Sequence, residues 1–167
     1  MSISLNEQYY LKALDHYPDN LEFTVENLQY AISYDPDHAQ SWCLMGEIYM
    51  YYLKDYPKAK ECFQKSLASD LGYPDHYKYL SILHIWLGEY DSAKKVLRFA
   101  LKRKEVSRES IFRIWSTLHE YQGNYKLART FLKKAKMYSQ NKKCLENIEG
   151  DLKRVKSKLK EMKKKLR

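Results

Sequence analysis

Chain-reversing residues are scarce: five glycines and four prolines in 167 residues. A sheet protein of this length needs more turns than that, so the composition points to a mostly helical chain. Cysteine is equally sparse. Cys43, Cys62 and Cys144 are odd in number and lack CxxC spacing, which argues against a disulfide framework and against a zinc site. No stretch approaches the roughly 18 apolar residues of a membrane span. The first residues, MSISLNEQYYLKALDHYPDN, have neither the basic lead nor the apolar run of a secretory signal. A reduced, cytoplasmic protein is the expectation. Catalytic signatures are missing too: there is no GxxxxGK[ST], no GxGxxG after a strand, no HExxH and no GxSxG. The expectation is a non-enzyme with no cofactor and no metal.

Apolar and aromatic material is plentiful, at 44% hydrophobic and 14% aromatic with 16 tyrosines. A chain of this size folds as one domain that buries roughly 70% of its unfolded surface. The formal net charge of +9 is unevenly placed. Up to Leu132 the basic and acidic residues number 16 and 17; from Lys133 onward they number 14 and four. The first 38 residues hold seven Asp/Glu against Lys12 alone. The high isoelectric point therefore describes a tail and not the body.

A period of 34 to 35 residues runs through the chain. Ala59, Ala93 and Ala128 share one column, with Tyr56, Tyr90 and Tyr125 three residues before and Phe63, Leu97 and Leu132 four after. Ser66, Ala100 and Ala135 follow seven after, and Trp42, Tyr77 and Phe112 precede by 16 or 17. A degenerate copy comes first, with Leu28, Ala31 and Pro36 in register and Thr24 in place of the alanine. Each unit reads as two helices with 3–4 apolar spacing, separated by a short break. Gly88 and Gly123 suit the left-handed residue that ends a first helix, and Pro57 suits the first turn of a second. Asp37 and Asp75 read as N-caps, and Ser4 with Glu7 as a capping box. The small column lets antiparallel helices approach closely.

AQSWCLMGEIYMYYLKDYPKAKECFQKSL, with Trp42, Gly46, Tyr49, Tyr56, Ala59 and Phe63, resembles the tetratricopeptide repeat; one extra residue lies near Tyr52–Lys54. The resemblance covers residues 5–143 as copies at 5–38 (degenerate), 39–73, 74–108 and 109–143. It implies an all-α, right-handed solenoid of antiparallel helix pairs (domain 1–143), followed by a long basic helix at 144–167. Leu145, Ile148, Leu152, Val155, Leu159, Met162 and Leu166 form a 3-4 seam on that helix. Leu145, Ile148 and Leu152 are expected to cap the last repeat, with the final turns outrunning it. Lys158 opposite Lys163 disfavours a parallel homodimer through this seam; the oligomeric state is otherwise open.

The resemblance also implies a concave groove, lined by the first helix of each pair, that binds a peptide or helix of a partner protein. The groove candidates are Gln40, Cys43, Glu47, Met50 and Tyr51; Lys78, Ile82, Ile85 and Trp86; and Arg113, Thr117, Glu120 and Tyr121. Trp42 and Trp115 are expected in the core. The lysine–asparagine carboxylate clamp of some family members is absent, since Tyr9, Ala13, Cys43 and Glu47 stand at the matching positions. His84 and His119 share a column and read as core histidines; His38 and His76 read as first-turn surface residues. The leading expectation is a protein-binding scaffold. The alternatives are a structural subunit of a larger complex, or an anionic-surface binder, taking nucleic acid or membrane through Lys153, Arg154, Lys156, Lys158, Lys160, Lys163, Lys164, Lys165 and Arg167. The tail has no Trp, Tyr or Phe after Tyr138, so it lacks a base-stacking or interfacial anchor.

Overall fold

The computed structural model describes residues 3–165, and every regular element among them is helical. Leu166 and Arg167, the end of the seam and of the basic tail, lie outside the described residues. The chain divides into two compact units, Met1–Leu83 and His84–Arg167.

The first unit holds α1 (Leu5–His16), α2 (Leu21–Tyr34), α3 (Ala39–Ile48), α4 (Tyr56–Ser69) and the greater part of α5 (Asp75–Trp86). Its core joins Ala13, Leu28, Leu44, Met45, Ile48 and Cys62, flanked by Tyr10, Tyr17 and Trp42. The helices are started by side chains that satisfy free backbone donors: Asn20 accepts from the Phe23 N–H and Asp55 from the Lys58 N–H, both at 3.1 Å. The caps expected at Asp37 and Asp75 are displaced. His38 occupies the N-cap of α3, and Asp75 is already the first residue of α5. Ser4 does cap α1 by position, but its hydroxyl makes no capping bond. Glu7 turns away from Ser4 because buried His38 needs it: the imidazole Nε2 donates to the Glu7 carboxylate at 3.3 Å.

The extra residue of the second copy is absorbed locally. α3 runs on into a π-helical turn, Tyr49–Leu53, whose wider winding takes up one residue without shifting Met50 out of the core. Lys54 then adopts φ 56°, the left-handed position that Gly88 (φ 73°) and Gly123 (φ 72°) fill elsewhere. Gly46 has a different role. A Cβ there would lie 2.6 Å from Phe63 Cε1, and the Phe63 ring is fully buried and stacked on Tyr79. Gly46→Ala therefore overpacks α3 against α4 and is expected to cost about 1–3 kcal/mol. Urea denaturation measures it; a wild-type midpoint would mean that Phe63 can move aside.

The second unit contains the end of α5, then α6 (Tyr90–Ala100), α7 (Arg108–Tyr121), α8 (Tyr125–Met137) and α9 (Lys142–Lys165). Ser107 caps α7 by accepting from the Ser110 N–H. Ala128, Leu132 and Ala135 of α8 pack on Ile148 and Val155 of α9, with Phe112, Tyr125 and Leu152 at the margin. The cap thus reaches a turn further than Leu145, Ile148 and Leu152: Val155 is fully buried, and Leu159 and Met162 are half-buried. The cause is antiparallel packing. α9 runs back along the whole of α8 and brings Met162 to Tyr125, the first residue of that helix.

Candidate partner-binding face

In the first unit, Glu47 stands half-buried on α3 among tyrosines. The Tyr17 hydroxyl donates to Glu47 Oε1 at 2.9 Å, and the Tyr79 phenol lies close enough to feel the same carboxylate. Tyr52 packs edge-on against Tyr17 at 5.9 Å between ring centroids, and Tyr51 edge-on against Tyr79 at 6.2 Å. The Lys78 ammonium sits over the Tyr79 ring, 4.6 Å from its centroid. Burial, and then the neighbouring Tyr52 and Glu47, hold the Tyr17 phenol well above its ordinary pKa; burial and the neighbouring Glu47 do the same for Tyr79. These hydroxyls are donors at any physiological pH. Glu47, Tyr51 and Lys78 thus lie around Tyr79. Tyr17, Tyr52 and Tyr79 join them without having been singled out, although the excess of tyrosine was a signal that could have found them.

Other sequence candidates are excluded from any surface. Cys43, Met50 and Ile85 are 2%, 0% and 1% exposed. They face inward because the helices that carry them are packed on two sides, leaving only a narrow outward stripe. Burial, reinforced by the Asp75 charge, pushes the Cys43 thiol pKa up, so it is no nucleophile. Gln40 and Ile82 are half-buried. Trp115 is in the core as expected, while Trp42 is only half-buried and donates from Nε1 to the Pro36 carbonyl at 2.7 Å.

In the second unit, Trp86 and Tyr121 are 38% and 55% exposed. Thr117 spends its hydroxyl on the Arg113 carbonyl of its own helix. Arg113 and Glu120 are already engaged. The Arg113 guanidinium meets the Asp151 carboxylate at 3.0 Å, and Glu120 accepts from Arg154 and from Lys158, the latter at 3.3 Å. α9 therefore covers these two candidates of α7, which a partner could take only by displacing it.

The histidines divide differently from expectation. His84 and His119 are buried, and His119 stacks on Phe131 at 5.2 Å. His38 and His76 are buried as well, at 7% and 0% exposure, which corrects their reading as surface residues. Both ride on the inner side of a first turn, where Ser41 and Ser66 offer hydroxyl partners at 2.7 and 3.2 Å.

Residues 39–72 match the family model described as the tetratricopeptide repeat. No curated protein matches the chain. Several solved structures share its fold. A structure from a functional characterization of Pseudomonas aeruginosa pilF aligns with a TM-score of 0.79 and 17% identity, over 94% of this chain and 70% of that one. A thermophilic TPR protein of Thermus thermophilus aligns at 0.73 and 18%, over 92% and 81%. The first TPR of Spaghetti (RPAP3), bound to the HSP90 peptide SRMEEVD, aligns at 0.58 and 15%, over 75% and 95%. At these identities the likeness concerns the fold. Residues 39–72 thus carry one tetratricopeptide repeat, and the helix pairs around it share the fold of tetratricopeptide-repeat structures.

Proposed function

We propose that the protein is a non-catalytic interaction module, and that the tyrosine-lined face around Glu47 is where it takes a segment of a partner protein. The observation that carries the reading is the Glu47 cluster: a carboxylate held by Tyr17, bordered by Tyr51, Tyr52 and Tyr79, with Lys78 against the Tyr79 ring. Tyrosine supplies wide, rigid, amphipathic contact at small entropic cost, which is why it is enriched in recognition surfaces. A tetratricopeptide repeat bound to an HSP90 peptide is a precedent for peptide capture by this fold. Here Glu47 presents a negative charge instead of a carboxylate clamp, so the segment is one with amide, hydroxyl or cationic donors and not an acidic terminus.

Glu47→Lys reverses the charge on a half-buried side chain and leaves the Tyr17 hydroxyl without its acceptor. Affinity capture from native lysate, with wild type and variant side by side, is expected to lose the specific partner while the far-UV helical signal is kept. Equal recovery of the same protein by both would remove this face as the binding site.

A further inference from the structure

The two flanks of α9 differ. The flank toward α7 is neutralised by Asp151, Arg154 and Lys158 pairing with Arg113 and Glu120 and with one another. The other flank is not. Lys156, Lys160 and Lys163 of α9 surround, with Arg129 of α8, a depression of about 240 Å³ whose apolar floor is Leu159. None of the four has a carboxylate partner among the described residues, and the buried Arg129 Nε has no hydrogen-bond partner. Helical spacing puts exposed Lys126 and Lys133 beside Arg129 on α8, and Lys153 beside Lys156 on α9. Of the acids nearby, Glu146 pairs with Lys142, Glu149 with Lys136 and Asp151 with Arg113, while Glu161, bonded by Ser157, lines the separate depression beside Tyr125.

We infer that this α8–α9 flank is a second docking surface, and that its occupant is an acidic protein segment carrying apolar side chains. Charge complementarity sets the sign of the occupant, because packing seven cations around one seam without counter-charges leaves a strong positive potential. The shape and floor select its class. A carboxylate can meet the Arg129 fork at the rim while an apolar neighbour covers Leu159. A nucleic acid backbone has no apolar group for that floor, and no aromatic side chain lines the depression to stack a base. A bilayer surface would engage a protruding face with apolar anchors, whereas these cations ring a concavity. The surface lies on α8 and α9, so it stands or falls separately from the Glu47 face.

The test uses the full chain and fluorescence anisotropy at about 50 mM salt, where surface charge is weakly screened. The probe is a labelled peptide of repeated Glu-Glu-Leu triplets, set against a Glu-Glu-Ser peptide of the same length and charge. The Leu peptide is expected to bind the tighter of the two. Arg129→Gln with Lys156→Gln is expected to weaken it by about tenfold or more, since charge-assisted contacts are the strong ones. Lys142→Gln with Lys143→Gln, the same charge change at the far end of α9, is expected to alter it less than about twofold. Lys156→Gln with Lys160→Gln repeats the measurement with exposed residues only, should the Arg129 change disturb packing. No peptide binding at this salt overturns the inference, as do equal losses from both pairs or equal binding of the Ser peptide. Tighter binding to a duplex oligonucleotide or to phosphatidylserine vesicles would assign the surface to a nucleic acid or a membrane instead, and likewise overturns it.

Discussion

Val155→Asp is expected to destabilise the second unit by about 4 kcal/mol, a large share of the 5–15 kcal/mol that a domain has in hand. Val155 is fully buried in the layer that joins α9 to Ala128, Leu132 and Ala135. A carboxylate there loses its hydration among Ala128, Leu132, Ala135 and Ile148. α9 would detach or take up a proton at that site. Detachment strips the cap from α8 and also releases Arg113 and Glu120 from Asp151, Arg154 and Lys158. Chemical denaturation should show an early loss of part of the helical signal, and hydrogen exchange should place the new openings in 125–165. Lys164→Asp, on the exposed side of the same helix, is the control and should leave the midpoint within about 0.5 kcal/mol. A wild-type midpoint for Val155→Asp would mean that α9 is an appendage and not the cap of the fold.

Acid is expected to act through His76. Ser66 Oγ donates to the Ala39 carbonyl at 2.8 Å and so accepts from the Nδ1–H of His76 at 3.2 Å. That fixes the neutral tautomer and leaves Nε2 buried with no partner. Adding a proton would place an unpaired charge in the core. Burial pushes the pKa down to about 4 from 6.5, and Asp70 and Asp75 offset this only in part. The unfolded chain therefore binds more protons than the folded one between pH 6.5 and 4. Stability falls as pH drops through that window and is fully restored above the unfolded value. The shift corresponds to on the order of 3 kcal/mol. Burial acts in the same direction on His119. Carboxylates titrate in this range as well, so the measurement is a difference: wild type minus His76→Phe, by urea denaturation from pH 7 to 4. The gap between the two should shrink, or reverse, as pH falls. A parallel pair of curves would show that His76 titrates normally.

Much of this protein was legible along the chain. The alanine column at 59, 93 and 128 and its tyrosine and leucine companions set the helix pairs, because small residues at a fixed period are what close antiparallel packing needs. Glycine at 88 and 123 marked the helix ends, since a left-handed φ is nearly free only for glycine. The 3-4 seam of the last helix announced a face that had to be covered. These features depend on neighbours within one or two turns, so local periodicity reports them.

Other features were decided only by the packed structure. The extra residue near Tyr52 became a π-turn with Lys54 left-handed, a choice made by the need to keep Met50 and Ala59 in the core. Periodicity told inward from outward for a helix packed on one side, but Cys43, Met50 and Ile85 were lost to second neighbours. His38 and His76 looked solvent-facing because a first turn usually is; Glu7 and Ser66, brought close by packing, give the buried imidazoles partners. Arg113 and Glu120 looked open until α9, some 40 residues on, laid Asp151, Arg154 and Lys158 across them. Side-chain partners distant in the chain leave no trace in local spacing. Which charges neutralise one another, and which flank of α9 stays uncompensated, was therefore settled by the tertiary fold alone.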